Sequence, residues 1–244
     1  MLKTANGSVT ATVKGDGPLG ALVAVAHEDL TVKGYVDRPR TELPLRADGK
    51  LDVGGAVGVG RLTVVRDLGL REPYVGQVEL TNGEIASDFA YYFAASEQQP
   101  TLLSLGVLMP NAEDSESRVI SAGGLLIQPL PDCSEELLEQ LEARTSGYSD
   151  ISRKLVEHTP EELCEEFFKG LEPKIIERHT PEFRCDCGRE RIERALISLG
   201  REELQSMIDE DHGAQLECHF CNKRYYFTGD ELSELLEKAT DHAE

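Results

Sequence analysis

The sequence predicts an α+β protein: a β-rich N-terminal domain with packed helices, a helical linker and a small C-terminal metal-binding domain. Three observations carry this. The first half strings β-branched runs between Gly, Pro, Asn and Asp turn signals. Beyond Pro131 the pattern changes to short, charged, amphipathic helical segments. All six cysteines lie in that second part, at 133, 164, 185, 187, 218 and 221. The length of 244 residues and the 40% hydrophobic share suit one large domain or two smaller ones with a real core. The expected boundaries are 1–131, 132–184 and 185–244, the first break falling at the Pro129-Leu130-Pro131 interruption.

In the first domain, Ser8–Lys14 reads as a strand ending at the turn Gly15-Asp16-Gly17-Pro18. Leu22–Ala26, Thr31–Val36, Gly60–Arg66, Val75–Leu80 and Gly123–Gln128 are the other strand candidates. Thr81-Asn82-Gly83-Glu84 is expected to be a tight hairpin connection, because Asn-Gly tolerates positive φ. Ile85–Ser96 has helical spacing at Phe89, Tyr92 and Phe93, and its aromatics read as core. The glycine-rich run Gly54–Gly60 lacks the Lys-Ser/Thr of a phosphate-binding loop and is expected to be a flexible turn.

The linker opens after Asp132 with a helix over Ser134–Arg144, its Leu137, Leu138 and Leu141 on one face. Thr159-Pro160-Glu161-Glu162 is a capping box with Pro in the first turn, opening a helix over Pro160–Lys169. Thr180-Pro181-Glu182 repeats that start signal. Helices of two or three turns are marginal in water and depend on docking. Cys133 and Cys164 have no ligand-spaced partner and read as plain small side chains.

The last segment carries the chemistry. Cys185-Asp186-Cys187 and Cys218-His219-Phe220-Cys221 are two close pairs separated by 30 residues. Two such pairs complete a tetrahedron of sulfurs, a geometry that zinc favours. In a reducing compartment such cysteines are metal ligands rather than stable disulfides. His219 lies between two of them and reads as an outer-layer or exposed group. Around the pairs, Arg189–Ser198 and Arg201–Glu210 read as helices divided by Gly200, and Leu216–Cys218 with Tyr225–Phe227 as a hairpin. The capping box Thr228-Gly229-Asp230-Glu231 opens a terminal helix through Leu232, Leu235 and Leu236. So small a core depends on its metal. Four thiolates are also four nucleophiles, and their oxidation removes every ligand at once.

The order Cys-x-Cys, 30 residues, Cys-x-x-Cys resembles the redox-regulated 33 kDa chaperonin (heat-shock protein 33) family. So do Gly17-Pro18-Leu19-Gly20, Asp67-Leu68-Gly69-Leu70, Gly76-Gln77-Val78-Glu79, Ala122-Gly123-Gly124 and the phrase from Cys218 to Thr228. The resemblance implies an ATP-independent holdase for unfolding proteins, a chaperone of the stress response and not an enzyme. It implies one zinc ion on Cys185, Cys187, Cys218 and Cys221 when reduced. On oxidation it implies the disulfides Cys185–Cys187 and Cys218–Cys221, release of the linker, and a homodimeric active form. Relative to that family the chain is expected to lack a leading strand and helices before Met1.

Charge bounds the partners. The formal net charge is −20. Residues 1–130 carry 11 basic and 16 acidic side chains, and residues 131–244 carry 14 and 29, so −15 of the excess lies in the second part. A polyanion repels phosphates, which argues against nucleic-acid and anionic-membrane partners. No stretch approaches the roughly 18 apolar residues of a membrane span, and the start lacks an apolar signal region, so a cytoplasmic location is expected. Two other readings of the cysteines stay open. A zinc-ribbon nucleic-acid module is disfavoured by 6 basic against 9 acidic residues over 185–227. A thiol–disulfide oxidoreductase using Cys218 and Cys221 would need its motif to open a helix in a βαβ setting.

Overall fold

A computed structural model describes residues 7–110 and 119–241. Contacts divide the chain into two compact units. One holds the residues up to Leu30 together with Val36–Thr180, and the other holds Thr31–Tyr35 together with the chain from Pro181 onward.

The first unit begins with β1 (Ser8–Gly15) and β2 (Ala21–His27), an antiparallel hairpin in the register Val13↔Leu22. The next strand, β3 (Thr31–Val36), falls almost wholly in the second unit. After it come the short helix α1 (Val53–Val57), then β4 (Gly60–Asp67) and β5 (Tyr74–Glu79). β4 pairs with both β1 and β5, giving the antiparallel order β5-β4-β1-β2. The helix α2 (Ile85–Ser96) covers this sheet, and Val13, Val57, Leu62, Val64, Tyr92 and Phe93 form the core between them. Tyr92 is fully buried and its hydroxyl donates to Glu97 Oε1 at 2.6 Å, so the phenol keeps a partner inside the core.

The glycine-rich run is ordered, contrary to the flexible turn expected. Asp52 caps α1 by accepting from the Gly55 amide at 3.0 Å. The helix lies so close to the strand end that a Cβ on Gly15 would stand 1.9 Å from the Val57 carbonyl oxygen. Within the run, a Cβ on Gly60 would likewise stand 2.0 Å from the Lys14 carbonyl oxygen, so glycine on both sides serves close backbone approach. Thr81–Glu84 also differs from expectation: it joins β5 to α2 and is no hairpin. Gly83 does take positive φ (+74°), but the turn is set by the buried Asp88 of α2. Its Oδ1 accepts from the Thr81 amide at 2.6 Å and the Thr81 hydroxyl at 2.7 Å. A buried carboxylate on the following helix thus holds the turn, a contact that local turn chemistry does not reveal.

The remainder of this unit is a second core. β6 (Leu102–Leu108) and β7 (Ser121–Ile127) pair antiparallel, and α3 (Glu135–Thr145), one 3₁₀ turn (Ser146–Tyr148), α4 (Ile151–Glu157) and α5 (Pro160–Phe167) follow. Ile127, Leu141, Tyr148, Ile151, Leu163 and Phe167 are its buried members. Phe167 meets Tyr148 edge-on at 4.6 Å between centroids. The capping box expected at Thr159 is present in both directions. Cys164 is half-buried beside this core, and Cys133 is also half-buried.

The second unit contains β3, β8 (Glu182–Phe183), α6 (Arg189–Leu199), α7 (Arg201–Asp209), the hairpin β9 (Gly213–Glu217) and β10 (Arg224–Thr228), and α8 (Gly229–Asp241). The Thr180-Pro181-Glu182 signal does not open a helix. Residues 182 and 183 instead pair in parallel with Thr31 and Val32, and the Arg184 amide donates to Val32 O at 3.1 Å. Pairing with β3 satisfies backbone groups that a helix would otherwise have used. The core of the unit is Leu196, Leu204, Cys218, Tyr225, Phe227, Leu232 and Leu235.

Two stability predictions follow from the helical core around Phe167. This side chain is 2% exposed, so Phe167→Ala should cost about 3–5 kcal/mol, measured by urea unfolding. The second concerns pH. The hydrogen bond from Lys154 Nζ at 2.9 Å holds the Glu166 carboxyl below its ordinary value. A lowered carboxylate stabilises the fold above the ordinary carboxylate range, and that contribution is lost as pH falls through the lowered value. Glu166→Gln should therefore melt slightly below wild type at pH 7, and the small difference should shrink as pH falls from the ordinary value of 4.5 and close once it has passed through the lowered one.

Candidate metal centre

The four paired cysteines come together within the second unit. Cys185 and Cys187 follow β8 directly, and Gly188 then caps α6. Cys218 and Cys221 occupy the turn between β9 and β10. That turn closes through the Asn222 amide to Cys218 O at 2.7 Å and the Cys218 amide to Lys223 O at 2.9 Å. Asn222 takes positive φ (+57°), a conformation that Asn tolerates better than most residues. The motif therefore sits in the connection of a β-hairpin and not at a helix start, which departs from the setting of a disulfide oxidoreductase.

All four Sγ atoms lie within 4.8 Å of one another. Cys185 Sγ stands 3.6 Å from Cys218 Sγ, and Cys187 Sγ stands 3.3 Å from Cys221 Sγ. Metal–sulfur bonds of ~2.3 Å in a tetrahedron put sulfurs roughly 3.8 Å apart. The residues thus fit a four-thiolate ion. Cys218 is buried, Cys185 and Cys187 are half-buried, and Cys221 is exposed. Among the described residues this is the one group of three or more His, Cys, Asp and Glu side chains arranged to hold an ion. Cys133 and Cys164 lie outside it.

The thiols are electrostatically unequal. The Tyr225 hydroxyl donates to Cys187 Sγ at 3.2 Å and pulls that thiol down to about 7. Burial pushes Cys185 up to about 12. The same bond to Cys187 pushes Tyr225 itself up to about 12. Four thiolates this close would repel one another, and a divalent cation would supply the compensating charge. Behind the sulfurs, Arg189 lies 4.3 Å from the Phe227 ring centroid, donates to Tyr226 O at 3.1 Å and pairs with Glu231 at 2.6 Å. The expected box at Thr228 is formed, with the Thr228 amide donating to Glu231 Oε2 at 2.9 Å.

Sequence reasoning placed the four cysteines together but missed what else approaches them. Lys33 and Tyr35 of β3 touch the residues between the ligands: Lys33 pairs with Asp186, and Tyr35 stacks on His219 and Phe220. The sequence carries no local signal of this, and the structure shows it only through burial. In Thr31-Val32-Lys33 the polar residues are buried and Val32 is 36% exposed, an inverted strand alternation that asks for a polar partner.

Comparison with known proteins agrees with this architecture. The family model described as Hsp33 protein matches residues 1–228. A β-rich region, short helices and a C-terminal four-cysteine cluster define a chaperone of this class, and the chain belongs to the Hsp33 family. The 33 kDa chaperonin of Acetivibrio thermocellus is 45% identical over 236 residues, 96% of this chain and 78% of that protein. That of Clostridium beijerinckii is 45% identical over 237 residues, 96% of this chain and 80% of that protein. The crystal structure of the 33 kDa chaperonin (heat shock protein 33 homolog) of Thermotoga maritima matches with a TM-score of 0.86 at 39% identity, covering 97% of this chain and 80% of that one. Family membership supports a chaperone function, and a chaperone binds client proteins. The relatives' names are those of chaperonins and not of enzymes. Among the described residues no helix is long and apolar enough to cross a membrane.

The cluster predicts one soft divalent ion per chain. Cys218→Ser should lower metal retention by at least tenfold, whereas Cys133→Ser and Cys164→Ser should retain the full amount. Metal analysis after desalting reads both.

Proposed function

We propose that the chain is a redox-regulated, ATP-independent holdase that captures unfolding proteins under oxidative and heat stress. The observation that carries this is the convergence of four sulfurs within 4.8 Å of one another, in a family of chaperones. In the reduced state Cys185, Cys187, Cys218 and Cys221 hold one zinc ion, which when bound supplies the charge that keeps four thiolates together.

Oxidation forms two S–S bonds, Cys185–Cys187 and Cys218–Cys221. For each bond, two thiolates pass two electrons to one peroxide, which takes up two protons and leaves as two water molecules. A disulfide sulfur carries no charge and is a poor ligand, so both reactions together abolish the donor set. The second unit then loses the tie that joins its α6 side to its β9–β10 turn.

In this reading the chain works as three segments. Residues 1–131 are the β-rich chaperone domain, 132–184 the releasable linker and 185–244 the redox switch. The linker helices α3, α4 and α5 have only 11, 7 and 8 residues. Helices this short depend on docking. The buried residues of these helices, Leu141, Ile151, Leu163 and Phe167, and Tyr148 of the 3₁₀ turn become client-binding surface on release. The −15 charge of residues 131–244 keeps the melted form soluble. The protein acts in the cytoplasm as a homodimer when oxidised. Its partners are unfolded proteins rather than nucleic acids or membranes, and it catalyses no reaction.

The test compares redox states. Reduced, zinc-loaded protein should not suppress aggregation of a heat-denatured client. Peroxide with mild heat should release zinc and switch suppression on, and reductant with zinc should switch it off. Equal suppression in both states would contradict the switch.

A further inference from the structure

The strand β3 turns its polar residues inward. Thr31 and Lys33 are each 6% exposed, while Val32 is 36% exposed. The Lys33 ammonium is ion-paired with Asp186 Oδ1 and lies 4.9 Å from the Phe220 ring centroid. Tyr35, on the same face, stacks on His219 at 5.4 Å and meets Phe220 edge-on at 5.1 Å. Asp186 is the residue between Cys185 and Cys187, and His219 and Phe220 are those between Cys218 and Cys221. One strand therefore grips the spacer residues of both cysteine pairs while supplying no sulfur.

We propose that Lys33 is a positioning residue of the metal centre, fixing the Cys185–Cys187 loop through Asp186 and the Cys218–Cys221 loop through Phe220. This rests on the reading that the four cysteines hold zinc. Groups that orient metal ligands from outside the first layer typically set affinity by about 10–100-fold. The ion pair is asymmetric. The Asp186 side chain is 49% exposed and its other oxygen pairs with Arg191, so it keeps a partner and water if Lys33 is lost. The Lys33 side chain is 5% exposed and has no such reserve. A buried ammonium without a counter-ion is strongly unfavourable, so removing Asp186 should disturb the site more than removing Lys33. Removing both should relieve part of that penalty.

The experiment follows zinc release from the full chain to a chromogenic chelator, under reducing conditions, with far-UV CD on the same samples. Lys33→Met should release zinc about tenfold faster than wild type. Asp186→Asn should be faster still, and the double variant slower than Asp186→Asn alone. Lys33→Arg keeps the charge and should stay within about threefold of wild type, which tests the idea even if Lys33→Met folds poorly. Lys154→Met removes a more exposed lysine–carboxylate pair, with Glu166, in the other unit and should leave the release rate unchanged. Wild-type rates in folded Lys33→Met, or effects of the two substitutions that simply multiply in the double variant, would overturn the role of Lys33. A wild-type protein that binds no zinc would overturn the metal reading itself, a separate result.

Discussion

Four sulfur atoms within 4.8 Å of one another are the constraint on which the second unit depends. They come from two places 30 residues apart, one after β8 and one in the β9–β10 turn. The apolar core behind them is modest: Cys218 is itself a member, alongside Leu196, Leu204, Tyr225, Phe227, Leu232 and Leu235. A core of this size gives little stability by itself, and metal–thiolate bonds convert binding free energy into folding free energy. In the proposed switch the chemistry that would hold the unit is also the chemistry that would release it, because thiolates are oxidisable.

The helical segment that precedes this unit has a different kind of weakness. Its helices are short, and their docking rests on a few large side chains, with Phe167 against Tyr148 in a core that also holds Ile127, Leu141, Ile151 and Leu163. Surface pairs such as Lys154–Glu166 and Arg178–Glu161 decorate it but contribute little while exposed. A dense negative charge over the same stretch favours expansion over collapse once docking is lost. The β5-β4-β1-β2 sheet under α2 has none of these features. Its core of Leu62, Val64, Tyr92 and Val57 is fully buried and free of cysteine. The contrast between these two cores is the one that the proposed release of the helical segment calls for.

Much of this was legible in the sequence, for identifiable reasons. Helices with strong periodicity or caps read well because their signals are local: Ile85–Ser96 forms as expected, and the helix expected over Pro160–Lys169 starts at its cap and ends two residues early, at Phe167. The cysteine cluster was legible because ligand spacing is a local constraint with few alternative uses. What was missed depended on distant partners. Leu102–Leu108 is nearly all apolar and has no period to distinguish strand from helix, and its identity comes from pairing with Ser121–Ile127. The turn at Thr81–Glu84 is governed by Asp88, and Thr180–Glu182 by the parallel pairing with β3. Lys33 looked like an ordinary strand lysine. Only the placement of Asp186 beside it makes it part of the centre.

The central claim is that metal bound at the four cysteines holds the second unit folded while the sheet of the first stands independently. Hydrogen exchange resolved along the full reduced chain, with zinc bound and after its removal by chelator, tests this most directly. The account predicts that protection over 213–241, including Phe227, Leu232 and Leu235, collapses on zinc removal while protection in β1, β2 and β4 is retained. Persistent protection of Phe227, Leu232 and Leu235 in the zinc-free protein would contradict it.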